Sequence, residues 1–281
     1  GPTDNDICKV LMDAYGKRGM IFKLSAKVLS VKPGFVVFDT ILWVVTGAGC
    51  VIGALLMKKY KAILLDLDAT IFDFDKAEIY SLSKMLESIG IMPTEKIIYE
   101  YHDINIKWWE KYERKEYTKQ EILVNRFEEL FKKYQKEVDC VKFNEDYLYH
   151  LADVVFYIDN ALEFLERLKK EYKIYIVTNG VTNTQLRRIN QTPLMNYVEK
   201  VYISDTIGYA KPDIRYYEYI LKDASLSKKE CLCIGDSLTS DMLGGINAGI
   251  DTCWFNPSHK TTTLSITYEI DKLLDFFKVV K

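Results

Sequence analysis

Five short apolar runs, separated by stretches with helical periodicity, limit most strongly what this chain can fold into. The runs are rich in β-branched residues and span residues 61–66, 172–178, 200–204, 230–235 and 250–255. Between them, apolar residues such as Ala161, Leu165 and Leu168 recur at helical spacing. Continuous apolar strands that alternate with helices are typical of a parallel sheet covered on both faces. The sequence therefore predicts an α/β fold built on a parallel sheet.

Residues 76–158 interrupt this alternation with helical periodicity and no convincing strand. A structureless loop of that length does not fit inside a compact domain. We therefore expect an all-helical subdomain inserted after the first strand. The predicted organisation is a catalytic core over residues 57–75 and 159–281, the helical insertion over residues 76–158, and a separate N-terminal segment over residues 1–56.

The N-terminal segment is basic at first and then strongly apolar. Residues 35–57 carry one charge, Asp39, and are long enough to span a bilayer as a helix. Gly49 and Gly53 have the spacing that lets two such helices pack closely, as in a homodimer. We expect an apolar helix that contacts a membrane through residues 35–57. A buried helix or hairpin, or a segment added to the natural chain, remains open.

Composition excludes several other classes of protein. The 38 basic and 40 acidic residues give a net charge of −2, whereas a nucleic-acid binder is normally clearly basic, so we expect no nucleic-acid partner. Six cysteines in 281 residues are too few for a disulfide scaffold, and no pair has zinc-site spacing. We expect reduced thiols and a cytoplasmic catalytic part.

Four polar features lie where the predicted strands and helices join, and three of them directly follow apolar strands. Open α/β sheets bind their ligands at this edge. Close carboxylates repel each other unless a cation offsets their charge, and oxygen ligands suit Mg²⁺. A hydroxyl with main-chain N–H groups before a helix can hold a phosphate. In chain order the features are Asp66 with Asp68, Thr178-Asn179-Gly180, Lys211-Pro212, and Asp236 with Asp241.

With these motifs, DLDAT at 66–70, Thr178, Lys211 and GDSLTSD at 235–241, the chain resembles the haloacid dehalogenase superfamily of phosphohydrolases. The resemblance covers residues 57–281. The stretch VTNGVTNTQLRRINQTPL is most similar to the small pyrimidine 5′-nucleotidases of that superfamily. The resemblance implies a Rossmann-like core with a helical cap inserted between the first two motifs. One departure is Ala69, where many members carry glycine.

The resemblance implies that Asp66 is the nucleophile, which forms an aspartyl-phosphate. It implies that Asp68 protonates the leaving oxygen and later takes a proton from water. Thr178, with a main-chain N–H near Asn179 or Gly180, would bind the phosphoryl group. Dehalogenase members lack an acid two residues after the nucleophile, so Asp68 indicates a phosphatase. The predicted activity is Mg²⁺-dependent hydrolysis of nucleoside 5′-monophosphates, small phosphorylated metabolites.

The resemblance also implies the metal site. Asp66, the main-chain carbonyl of Asp68 and Asp236 would bind Mg²⁺, which offsets the negative charge of the phosphate. Lys211 would add a second positive charge. Asp241 would orient Lys211 or a metal-bound water. These assignments make Asp66, Asp68, Asp236 and Asp241 the predicted metal-site residues.

Two alternatives remain open at this stage. The first is a sugar-phosphate phosphatase or phosphomutase on the same fold, and the second is a membrane-tethered binding or scaffold protein. Four aromatic residues of the helical insertion either stack on a nucleobase or fill a core at helical spacing. They are Trp108, Trp109, Tyr112 and Tyr117.

Overall fold

The computed structural model describes residues 60–280 and, ahead of them, the backbone of four short strands within residues 28–56. These strands pair antiparallel in chain order and form one sheet. They belong to a unit, Gly1–Lys59, that is distinct from the unit Tyr60–Lys281. The strands are β1 (Val28–Lys32), β2 (Phe35–Phe38), β3 (Ile41–Val44) and β4 (Leu55–Leu56).

The prediction of an apolar helix over residues 35–57 is wrong wherever the structure describes this range. The described parts are strands, because valine, isoleucine, phenylalanine and tryptophan dominate them and favour extended backbone. The hairpin alternative agrees with the antiparallel pairing of β2 with β3. In the part of the chain that the structure describes, no helix combines the length and apolarity needed to cross a membrane. Gly49 and Gly53 lie outside the described residues, and the homodimer stays a prediction.

A six-stranded parallel sheet forms the centre of the second unit, in the order β10-β9-β8-β5-β6-β7. Five of its strands lie within the five predicted apolar runs, so the parallel α/β core is confirmed. The sixth, β10, is a three-residue edge strand that follows a polar stretch and gives no apolar signal. The strands are β5 (Ala62–Leu65), β6 (Lys173–Thr178), β7 (Lys200–Ile203), β8 (Cys231–Gly235), β9 (Asp251–Phe255) and β10 (Tyr268–Ile270).

Four of the five helices between β5 and β6 occupy the stretch predicted to be helical, and the first of these four begins at Phe74, just ahead of that stretch. They share an apolar core rich in aromatic rings, separate from the clusters that cover the sheet. The Asp73 side chain accepts a hydrogen bond at the start of the first helix, and Thr118 with Glu121 forms a capping box before the third. We call these helices the helical segment: α1 (Phe74–Ser88), α2 (Glu95–Glu113), α3 (Lys119–Lys133) and α4 (Cys140–Ala152).

The remaining helices cover the two faces of the sheet. Ile63 and Leu65 of β5 face one apolar cluster, while Ala62 and Leu64 face another on the opposite side. This alternation explains why the strand is apolar throughout. The helices are α5 (Ala161–Lys169), α6 (Thr182–Asn190), α7 (Ser204–Ile207), α8 (Ile214–Asp223), α9 (Leu243–Ala248) and α10 (Phe276–Val279).

The buried thiols yield a first prediction. Cys140, Cys231, Cys233 and Cys253 are free and buried, and burial raises the pKa of Cys231 to about 12. Because the thiolate is the reactive form, we expect these four to react with iodoacetamide at pH 8 about 100-fold more slowly in the folded protein than in guanidinium. Mass spectrometry of the alkylated peptides measures this ratio. Equal rates in both conditions would contradict the buried positions.

Candidate active site

The carboxyl ends of β5, β6 and β8 bring the predicted residues together. Leu65 of β5 pairs with Ile176 of β6 and with Ile234 of β8, so the three strands end at nearly the same level. Asp66 therefore leaves the central strand between Thr178, which ends β6, and Asp236, which directly follows β8. This is the edge at which open α/β sheets place their ligands.

Lys211 crosses to this edge and joins two of the aspartates. Its Nζ donates to Asp66 Oδ1 at 2.5 Å, to Asp241 Oδ1 at 2.6 Å and to the Val177 carbonyl at 3.0 Å. Only 2% of its side chain is exposed. Burial disfavours its charge, but Asp241 and Asp66 together hold the pKa of Lys211 well above its usual value. Lys211 is therefore a fixed, buried cation beside Asp66.

Asn179 holds the main chain of Lys211 in place. Its Oδ1 accepts from the Lys211 N–H, and its Nδ2 donates to the Lys211 carbonyl, both at 2.9 Å. Both ends of the amide side chain are thus engaged by the protein, so a substrate role for Asn179 would fall to its main chain. The N–H of Gly180 donates to Thr178 Oγ1 at 3.1 Å. A Cβ on Gly180 would lie 2.3 Å from Gln185 Nε2, which explains the glycine.

Two residues that the sequence interpretation missed hold Asp68. Gln185 Nε2 donates to Asp68 Oδ2 at 2.6 Å and to Thr178 Oγ1 at 2.8 Å, and Arg188 Nη1 donates to Asp68 Oδ1 at 2.5 Å. Gln185 and Arg188 lie three residues apart on the buried side of α6. Polar residues on a helix face that normally packs apolar are the signal that could have identified them, since buried polar groups need partners.

Three carboxylates at the sheet edge form a group that could hold a metal ion. Oxygen atoms of Asp66, Asp236 and Asp241 all lie within 4.8 Å of one another. The side chain of Asp68 does not belong to this group. Burial and the charge of Asp241 raise the pKa of Asp236 to about 7 and that of Asp66 well above its usual range. One lysine does not balance three carboxylates. Closely spaced oxygen donors with excess negative charge fit a hard divalent cation such as Mg²⁺.

The helical segment contributes a further acid that the sequence interpretation also missed. Glu113 ends α2 and lies near Thr239 and Ser240, in the short π-helical turn Leu238–Met242 that carries Asp241. Burial, with a smaller contribution from the Asp241 charge, raises the pKa of Glu113 to about 7, while a hydrogen bond with Thr239 opposes the shift. No motif marks this residue, because its place at the site arises only when α2 packs against that turn.

Lys119, at the start of α3, reaches from the helical segment to the loop after β6. Its Nζ donates to the Asn179 carbonyl at 2.6 Å and to the Gly180 carbonyl at 3.3 Å. The same ammonium donates to Ser204 Oγ at 3.0 Å and to Asp205 Oδ1 at 2.5 Å. The helical segment is thereby connected to the loop that directly follows Thr178.

The four aromatic residues of the segment divide into two pairs. Trp108 is buried, donates to Glu129 at 2.9 Å and packs edge-on against Tyr117, so its core interpretation is confirmed. Trp109 and Tyr112 form a second edge-on pair that is half-buried. Lys119 Nζ lies 5.9 Å from the Trp109 ring and 5.4 Å from the Tyr112 ring. The second pair therefore lies beside the Asn179–Gly180 loop.

Two small residues allow the tight turns after β5 and β8. Ala69 has a φ of 60°, which favours glycine, the residue that the resemblance leads one to expect there. At Gly235 a Cβ would lie 2.3 Å from the Asp241 carboxylate, so this carboxylate packs directly against the backbone.

This contact yields a second prediction. We expect Gly235→Ala to displace Asp241, to lower activity by about 100-fold and to destabilise the fold by about 1–3 kcal/mol. Urea unfolding and kcat measure the two effects. Gly90→Ala is the control, because a Cβ there meets nothing within 4 Å and its positive φ gives strain alone. A wild-type kcat in Gly235→Ala would show that activity does not depend on the position of the Asp241 carboxylate.

The fold and site together define an α/β enzyme with a lysine and several aspartates at the carboxyl edge of a parallel sheet. The family model for haloacid dehalogenase-like hydrolases matches residues 63–255. The chain belongs to this family of hydrolases, which confirms the resemblance seen in its four motifs.

The similarity to individual relatives extends over nearly the whole length of each relative. The HAD-hydrolase YfnB of Bacillus subtilis is 35% identical over 80% of this chain and 97% of its own. Pyrimidine 5′-nucleotidase PynA of Streptococcus pneumoniae is 38% identical over 75% of this chain and 91% of its own. Pyrimidine 5′-nucleotidase YjjG of Escherichia coli is 31% identical over 77% of this chain and 98% of its own. A magnesium-bound structure of YfnB, described as revealing interdomain movement, superposes with a TM-score of 0.76 at 34% identity, over 80% of this chain and all of that one.

Proposed function

We propose that this chain hydrolyses nucleoside 5′-monophosphates with Mg²⁺ as its cofactor and an aspartyl-phosphate on Asp66 as the intermediate. The observation that carries this proposal is that Asp66 and Asp68 lie at one sheet edge in different surroundings. Asp66 binds Lys211, whereas Asp68 binds Gln185 and Arg188. Two carboxylates with different partners suit two different roles. The relatives named pyrimidine 5′-nucleotidases support the substrate class.

In the first step, Asp66 attacks phosphorus while the bond from phosphorus to the leaving oxygen breaks. Lys211 holds Oδ1 of Asp66 and offsets the charge of the incoming phosphate. Asp68 gives its proton to the leaving oxygen, and Gln185 with Arg188 fixes the direction of its carboxylate. The Thr178 hydroxyl lies beside the same Gln185 amide and donates to the phosphoryl group.

In the second step, a water attacks the phosphorus of the aspartyl-phosphate. Asp68, now ionised, takes a proton from that water, and the bond between phosphorus and the Asp66 oxygen breaks. Phosphate leaves and both aspartates return to their starting forms. No further reactant is needed, so the same two carboxylates complete the cycle.

The metal site follows from the carboxylate group. Asp66 and Asp236, with the main-chain carbonyl of Asp68, would hold Mg²⁺, which supplies positive charge toward the phosphate when bound. Asp241 has its two oxygens engaged by Lys211 at 2.6 Å and by the Ser237 N–H at 3.2 Å. We therefore assign Asp241 mainly to orienting Lys211.

Selection of the leaving group falls to the helical segment, which we propose acts as the cap predicted over residues 76–158. Trp109 and Tyr112 are the two of these four aromatic residues that lie beside the loop after Thr178, and an aromatic ring can stack on a nucleobase. The four free, buried cysteines support a cytoplasmic location for this catalytic part.

Phosphate release from a panel of phosphomonoesters tests the proposal. The panel contains UMP, dUMP, dTMP, purine nucleotides and sugar phosphates, each with Mg²⁺ and with EDTA. We expect Mg²⁺-dependent release that favours pyrimidine nucleotides. A preference for sugar phosphates, or activity that needs a bisphosphate, would keep the site chemistry and replace the substrate class. No release from any substrate would overturn the enzymatic proposal in favour of a binding protein.

A further inference from the structure

Lys119 is a buried cation of the helical segment whose polar partners all lie outside that segment. Its exposed fraction is 8%, and its four acceptors belong to Asn179, Gly180, Ser204 and Asp205. The capping box of Thr118 and Glu121 fixes the start of α3, so the Lys119 side chain leaves the helix in a defined direction. A buried ammonium is stable only while such acceptors surround it.

One peptide group connects this cation to the proposed phosphate-binding hydroxyl. The carbonyl of Asn179 and the N–H of Gly180 belong to the same planar peptide and point in opposite directions. Lys119 donates to that carbonyl at 2.6 Å, while the N–H on the other side donates to Thr178 Oγ1 at 3.1 Å. Hydrogen bonds in such a chain polarise and strengthen one another.

We propose that Lys119 is a positioning residue that sets the orientation of the Asn179–Gly180 peptide, and through it the Thr178 hydroxyl, when the helical segment is docked on the core. This inference rests on the proposed function, because it concerns the loop that we assign to the phosphoryl group. Docking and loop order are thereby coupled. If the segment moves away, Lys119 loses its acceptors and the loop loses the donor that fixes its carbonyls.

A second lysine of the segment provides a matched control. Lys115 Nζ contacts Asp213 Oδ2 at 2.7 Å, so it also joins the segment to the core. Its side chain is 65% exposed, however, and exposed ion pairs contribute little. Lys115 has no hydrogen bond to residues 178–180 among those that the structure describes. Removing either lysine takes one charge from the segment, but only Lys119 acts on the loop.

The test compares Lys119→Met and Lys119→Gln with Lys115→Met in the full chain. We expect kcat for the preferred phosphomonoester to fall by about 10–100-fold in Lys119→Met and by less in Lys119→Gln, which keeps a donor. The Kd for Mg²⁺ should stay within about twofold, because Lys119 touches no metal ligand. Lys115→Met should keep kcat within about twofold. Equal losses of kcat in Lys119→Met and Lys115→Met, or an unchanged kcat in Lys119→Met, would overturn the inference.

Hydrogen–deuterium exchange provides a readout that does not depend on catalysis. In Lys119→Met, amides of residues 178–183 should exchange about tenfold faster than in the wild type, while those of β5 and β8 stay protected. If the wild-type chain releases phosphate from no substrate, the proposed function fails and exchange alone decides the inference. Unchanged exchange over residues 178–183, or faster exchange throughout the protein, would overturn it.

Discussion

Asp66→Asn is expected to abolish phosphate release while the protein remains folded. An amide is a poor nucleophile, so the phosphorylated intermediate cannot form, and we expect kcat to fall by about 10⁴-fold or more. The variant should be at least as stable as the wild type in EDTA. Burial and the Asp241 charge already raise the pKa of Asp66, so a neutral side chain removes repulsion from the site. Steady-state kinetics and thermal unfolding measure both effects.

The matched control is Asp223→Asn, the same substitution at an exposed aspartate that pairs with Lys200 and Tyr202, which lie outside the site. It should keep kcat within about twofold, because exposed ion pairs contribute little. Phosphatase activity retained in Asp66→Asn would show that another residue is the nucleophile. If Asp66→Asn lost activity because it unfolded, its Tm in EDTA would fall below that of the wild type. Thermal unfolding in EDTA therefore distinguishes loss of the nucleophile from loss of the fold.

Removal of Mg²⁺ is the second change with a large expected effect. We expect EDTA to abolish turnover and Mg²⁺ at 100 times its Kd to stabilise the fold by about 2.7 kcal/mol. For a domain of this size that corresponds to a rise in Tm of roughly 5–10 °C. The cause is the group of three carboxylates, which lie within 4.8 Å of one another and of which only Asp66 and Asp241 bind Lys211. Differential scanning fluorimetry with and without Mg²⁺ measures the rise.

The same carboxylates give this effect a pH dependence of known sign. In the metal-free protein the pKa of Asp236 is raised to about 7 by burial and by Asp241, and that of Asp66 is raised as well. Above pH 4 the unfolded chain releases protons that the folded protein keeps, so the free energy of unfolding falls as pH rises toward 7. Mg²⁺ should therefore stabilise more at pH 8 than at pH 5. Asp236→Asn should reduce the fall in stability with pH in EDTA and the growth of the Mg²⁺ effect with pH. A Tm in EDTA that rises between pH 5 and 7 to the same extent in the wild type and in Asp236→Asn would contradict this account.

The sequence predicted the sheet and the positions of most candidate site residues because both depend on local patterns. Continuous apolar runs mark buried parallel strands, and the residue after such a run lies at the carboxyl edge whatever the loops do. Asp66, Thr178 and Asp236 could be placed for this reason alone. Lys211 follows no strand, and its place depended on the resemblance to a family.

Gln185, Arg188, Glu113 and Lys119 could not be predicted in the same way. Each lies on a helix, and each reaches the site only through the tertiary contacts that this helix or its side chains make. Lys119 is 60 residues from Asn179 along the chain, and Arg188 is 120 residues from Asp68. Their contacts depend on tertiary packing, which periodicity and composition do not report.

The helix prediction over residues 35–57 failed for a related reason. Length and low charge are equally consistent with a membrane helix and with short apolar strands. What separates them is the share of β-branched and aromatic residues, which is high at Phe35–Phe38 and Ile41–Val44. The strand propensity of this segment was the more informative signal.

The side-chain amide of Asn179 hydrogen-bonds the backbone of Lys211 rather than its side chain. The position of the Lys211 backbone therefore has a support of its own, beside the contacts that its ammonium makes with Asp66 and Asp241. Asparagine is required at position 179, since aspartate would lose the donor and leucine both groups. Two different sets of groups thus hold Lys211: the Asn179 amide fixes its main chain, and Asp66 with Asp241 fixes its ammonium.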